Sequence, residues 1–144
     1  MQISQKNKNN KNNKNNNTER INIIINMRTI IHRFPNINAP VHYHIGTNAQ
    51  ENSHLIEQSN FQDLWFHAED QSSCHVVAIM PQIPTLTKKQ YTTIIKMGAT
   101  LCKHNTNKLK KEKNISISYT RIKDITLTNT PGMVYTENLK TVIV

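Results

Sequence analysis

Seven histidines stand in this chain, and their spacing raises two kinds of chemistry. His42 and His44 sit two apart and share a face if that stretch is extended. His67 and His75 flank a polar turn and can meet across it. A zinc site needs three or four nitrogen, sulfur or oxygen ligands in matched geometry, and no cysteine or carboxylate completes either pair. Cys74 adjoins His75, but neighbours on an extended chain point to opposite faces, so thiol and imidazole cannot act as a pair. Ser72 and Ser73 have no base held by a third group. Asp63 and Glu69 make no acid–base pair. The glycines, Gly46, Gly98 and Gly132, are too scattered for a phosphate loop. Neither catalysis, nor a metal, nor a cofactor is therefore expected.

Binding chemistry is better represented. Lys and Arg number 18 against 9 Asp and Glu, a net charge of +9. Residues 1–20 hold 5 basic groups, 1 acidic group and 8 of the 20 asparagines, and no aromatic ring. Such a segment buries too little apolar surface to offset its ordering entropy, so a disordered arm is expected. It reads either as an arm that attracts phosphate or as drift toward Asn, Lys and Ile codons. The remaining 13 basic and 8 acidic groups keep residues 21–144 at +5. Lys89, Lys96 and Lys103 recur at seven-residue steps and form a stripe on a helix. Lys108, Lys110 and Lys111 follow in a basic link, and Arg121 and Lys123 lie beyond it. These groups suit phosphate, while a polar edge of Asn48, Gln50, Asn52, His67, Ser72, Ser73 and His75 suits base edges or sugar hydroxyls.

Certain elements must position these groups. Ile21–Phe34 reads as one or two short strands, and Val41–Ile45 as a strand ended by Gly46. Thr47–Asn52 reads as a polar turn, and Ser53–Ser59 as a short helix. Asp63–Ala68 and Cys74–Met80 read as a hairpin with a five-residue connection. Apolar residues at Tyr91, Ile94, Ile95, Gly98, Leu101 and Cys102 predict a long amphipathic helix from Thr87 to His104, with Thr85 or Thr87 as its cap. Asn114–Thr120, part of Arg121–Thr130, Met133–Tyr135 and Thr141–Val144 read as closing strands, the last two joined around Glu137-Asn138. Strands, helix, then strands again imply an α+β fold: a largely antiparallel sheet with one long and one short helix. The length excludes a multidomain enzyme, and no run of 18 apolar residues marks a membrane span. Cys74 and Cys102 read as ordinary buried thiols. A reducing, cytoplasmic setting fits them.

Two stretches carry a family likeness. One is Gly46-Thr47-Asn48 with Asn52. The other is Asp63-Leu64-Trp65-Phe66-His67-Ala68, followed after five residues by Cys74-His75-Val76-Val77. Their order and spacing, with Pro131-Gly132-Met133-Val134-Tyr135 downstream, resemble the NFACT-R family. That family is the RNA-binding domain of proteins of ribosome-associated quality control. The likeness runs from Val41 to Val144, with Arg28–Phe34 as its first strand. It implies an RNA-binding module, with tRNA or ribosomal RNA and the ribosome itself as partners, and it leaves DNA open. By resemblance, Asn48, Asn52, His67 and His75 mark the family surface or its scaffold. Thr47 stands where the family has Arg, Ser73-Cys74 replaces Gly-Ser, and Asp124 interrupts a basic run. The family's other regions have no counterpart in these residues, so tail addition on stalled chains is not expected. The alternative reading is a protein-interaction module on the same fold, with its basic groups merely solvated.

Overall fold

The computed structural model describes residues 27–83 and 85–144. The arm expected over residues 1–20 and the isoleucine-rich Ile21–Asn26 lie outside the described residues.

Among the described residues, the strands are β1 (Arg28–His32), β2 (Val41–Gly46), β3 (Leu64–Ala68), β4 (His75–Ile79), β5 (Ser116–Arg121), β6 (Ile125–Leu127), β7 (Val134–Thr136) and β8 (Lys140–Ile143). The helices are α1 (Ala49–Gln58) and α2 (Lys88–His104), and a 3-10 turn spans Ile122–Asp124. Six strands form one sheet in the order β1-β2-β4-β3-β5-β8, with every neighbouring pair antiparallel. β6 and β7 form a separate antiparallel ribbon. The architecture is α+β, as the sequence implies.

The sheet is covered on both faces, which explains why β4 reads as a nearly unbroken apolar run buried along most of its length. On one face Tyr43, Phe66, Val76 and Ile117 pack with Ile94 and Cys102 of α2. On the other, Trp65 and Val77 pack with Leu55 and Ile56 of α1 and with Ile122 and Ile125. Gly98 lets α2 lie against β3, because a Cβ there would overlap the Phe66 ring. Thr87 caps α2 in a reciprocal box with Gln90. Cys74 and Cys102 are free and buried, and each thiol donates to the other's carbonyl, at 3.3 and 3.4 Å.

One expectation needs correction. The stretch Thr47–Asn52 is not a turn ahead of a helix; it is the helix start. α1 begins at Ala49, and Asn48 caps it by accepting from the Glu51 N–H at 2.9 Å. The Glu51 carboxylate in turn accepts from the Thr47 N–H at 2.8 Å. Polar residues there serve the unpaired amides of a helix N-terminus. β7 and β8 are joined around Glu137-Asn138, as expected, and enter different sheets. β7 joins the ribbon with β6, and β8 extends the main sheet beside β5.

Candidate nucleic-acid interface

The hairpin register decides where the histidines go. Trp65 lies opposite Val77, so His67 and His75, each two residues nearer the turn, are brought together on the face away from α2. Their ring centroids are 4.8 Å apart and nearly perpendicular. His75 is also the partner of Gly46 on β2, and His67 of Ser118 on β5. Gly46, His75, His67 and Ser118 thus make a row across four strands, at the margin of the Trp65 cluster.

Behind the row stands Trp65, 3% exposed. Its indole N–H donates to Nδ1 of His75 at 3.1 Å. An indole nitrogen only donates, so Nδ1 of His75 must accept, and the ring is neutral with its proton on Nε2. Burial, reinforced by the neighbouring His67, holds the His75 pKa down at about 3. Burial lowers the His67 pKa too, against a hydrogen bond involving the Ala68 backbone that raises it, and Lys108 lowers it further. The His67 ring lies parallel to Trp65, with centroids 5.6 Å apart. At neutral pH both imidazoles are uncharged: the buried His75 has only its Nε2–H left to give, while the half-buried His67 ring can meet a polar ligand.

They line a cleft of about 470 Å³, a size that suits a small ligand or a single nucleotide. The β3–β4 turn forms one wall. The opposite wall comes from Gly132, Met133 and Val134 of the ribbon and from Leu139. Met133 is 60% exposed and Tyr135, next to the cleft residue Val134, 64%. Lys108, from the turn after α2, donates to the Ser72 hydroxyl at 3.0 Å and sets a positive charge on the rim. Glu69 and Asp70 sit on the same rim.

The remaining motif residues hold this arrangement. Asn52 is buried over Gly46, where any Cβ would overlap its Oδ1. Among the described residues that oxygen has no hydrogen-bond partner. Asn48 is spent on the cap. Gly132 adopts φ +79°, packs on Ala49, and donates its N–H to Ser53 Oγ at 2.8 Å. The Pro-Gly turn is thereby docked on α1, which fixes the ribbon as a cleft wall. The buried Asp63 carboxylate accepts from the Asn60 and Met80 amides at 2.8 and 2.9 Å, tying the far end of the hairpin. Ser73 Oγ accepts from Ala68 N–H at 2.9 Å and closes its turn.

The expected basic groups do not converge. Lys110 and Lys111 are exposed in the same turn region as Lys108. Lys89 and Lys96 project from α2, across the sheet from the histidines. Lys103 donates to the Val144 carbonyl at 3.3 Å, so the helix stripe is divided. Arg121 is the register partner of Leu64, at the opposite end of β3 from His67. Its guanidinium binds Gln62 at 2.6 Å and lies over the Tyr91 ring. Lys123 is exposed in the 3-10 turn. Among the described residues no group of three or more His, Cys, Asp or Glu could hold a metal. The sequence alone does not place Ser118, Met133, Val134, Thr136 or Leu139 at the cleft. Met133 and Val134 figure there only as part of the Pro131–Tyr135 family segment, and Ser118 only as the polar alternate between Ile117 and Tyr119.

Comparison with known proteins bears on this geometry. Among curated proteins none matches the chain. Among solved structures, the C-terminal part of the fibronectin/fibrinogen-binding protein from Streptococcus suis superposes with a TM-score of 0.61 at 22% identity. The match covers 72% of this chain and 41% of that one. It establishes a shared fold, and this chain spans well under half of that structure's length. The family model described as the NFACT protein RNA binding domain matches residues 31–137. That span holds Asn48, Asn52, His67, His75 and Gly132, the residues that build and surround the cleft. The chain belongs to the NFACT RNA-binding domain family.

Proposed function

We propose that this protein is a non-catalytic RNA-binding module that engages structured RNA, tRNA or ribosomal RNA, through the His67–His75 cleft. The observation that carries the reading is the pair of neutral, edge-to-face imidazoles in a cleft with Lys108 at its rim. The neutral His67 ring offers a donor and an acceptor to base edges and 2′-hydroxyls, His75 adds its Nε2–H, and Met133 supplies an apolar surface beside them. Lys108, Lys110 and Lys111 supply sequence-independent attraction to phosphate. Asn48 and Asn52 act as scaffold in this reading, since one caps α1 and the other packs on Gly46. Residues 21–144 form the binding domain, the first 20 add a basic arm, and the site of action is cytoplasmic.

Filter binding of tRNA, single-stranded RNA and duplex DNA at two salt concentrations tests this. The expected result is tRNA retention at micromolar protein or below, with affinity falling as salt rises and duplex DNA binding weaker. Weaker-than-micromolar, salt-indifferent binding overturns it. Co-purification with a protein that survives nuclease treatment would favour the interaction-module alternative. Intact RNA after prolonged incubation with Mg²⁺ is expected of a non-catalytic binder.

A further inference from the structure

The outer face of α2 carries a second concavity, of about 750 Å³, on the other side of the sheet from the histidines. Its floor is Phe34 and Met97, and its helix wall runs from Lys88 to Thr100. At ~1.5 Å per residue that wall is about 18 Å long, or more than three helical turns. Thr92, Thr93 and Thr100 each donate their hydroxyl to the carbonyl four residues earlier, at 2.7–2.9 Å. Their donors are thereby spent within the helix, and their methyl groups add to the apolar lining. The exposed Lys88, Lys89 and Lys96 rim the groove.

This chemistry is a poor match to RNA. Phe34 is buried, so no ring face is open to stack a base. The lining offers no arginine fork, no amide and no free hydroxyl donor to read a base edge. An apolar floor between ammonium groups instead rewards a ligand with apolar side chains on one face and carboxylates beside them. We propose that this groove docks an acidic amphipathic helix of a partner protein, about three turns long. Its apolar stripe lies on Met97 and the methyl groups of Thr92, Thr93 and Thr100, and its Asp and Glu side chains meet Lys88, Lys89 and Lys96. The RNA cleft and this groove then occupy opposite faces of one sheet, so both ligands can be held together.

The test is selection of a phage-displayed library of random peptides, each long enough for four helical turns, against the full chain, repeated on Lys89→Glu/Lys96→Glu. Both lysines are exposed, so the double variant is expected to fold, which its melting curve checks. Enriched peptides are expected to combine Asp and Glu with Leu, Ile or Phe at helical spacing. Their affinity, read by fluorescence anisotropy, is expected to fall at least about tenfold in the variant, with tRNA binding unchanged. No enrichment, enrichment of basic or wholly polar peptides, or peptides indifferent to the double variant overturns the proposal. Loss of tRNA binding in the variant also overturns it, by assigning the face to RNA. Failure of wild-type tRNA binding leaves the peptide result standing, so the two readings fail separately.

Discussion

His75 shows how one hydrogen bond sets the chemistry of a site. Its Nδ1 satisfies a buried indole N–H, and that bond requires the neutral ring. Replacing His75 with Phe strands the indole donor, which costs roughly 1–3 kcal/mol for a buried unsatisfied group. The same residue gives a pH signature. Its folded pKa, about 3, lies below the ordinary histidine value, so the unfolded chain takes up a proton before the folded one. Stability is held above about pH 6.5 and is lost as pH falls toward 3. By pH 4.5 His75 alone removes roughly 2–3 kcal/mol, at about 1.4 kcal/mol per pKa unit. Urea unfolding at pH 7 and pH 4.5 should therefore show a smaller acid loss in His75→Phe than in wild type. Equal losses would mean that His75 is not the buried neutral group described.

At the scale of elements, α1 and the β6–β7 ribbon form the cleft together, and two small features join them. Asn48→Ala removes the α1 cap and should lower stability by about 1 kcal/mol. Gly132→Ala places a Cβ at φ +79° and against Ala49. The left-handed conformation alone costs an L-residue roughly 1–2 kcal/mol. This variant should melt several degrees lower and also bind RNA more weakly, because the ribbon wall moves. A lowered melting temperature with unchanged RNA affinity would remove the ribbon from the binding site. These elements also mark where sequence reasoning reached and where it stopped. Leu64 and Phe66 against Trp65 and His67 alternate cleanly, so the hairpin and the facing of His67 toward His75 were legible. Tyr91, Ile94 and Cys102 gave α2 by periodicity. The start of α1 was not legible, because a polar turn and a capped helix N-terminus use the same residues at Asn48 and Glu51. Nor were Met133 and Leu139 readable as cleft walls. Their place depends on Gly132 docking onto Ser53, 79 residues away, and no local pattern encodes that contact.

At the scale of the molecule, the sheet separates two basic regions that the sequence presents as one population of lysines. Lys108 stands at the histidine cleft, while Lys89 and Lys96 rim a groove beyond the sheet. Among the described residues these lysines thus do not form one footprint for nucleic acid. Family membership supplies the ligand class, and the separation of the two faces supplies a way to test which face holds it. The most direct test is tRNA affinity at fixed salt for wild type, for His67→Ala/Lys108→Gln and for Lys89→Glu/Lys96→Glu, with folding checked by thermal melting. The cleft variant is predicted to bind at least about tenfold more weakly, ~1.4 kcal/mol, and the groove variant to bind like wild type. Full affinity in the folded cleft variant, or loss only in the groove variant, would contradict the account.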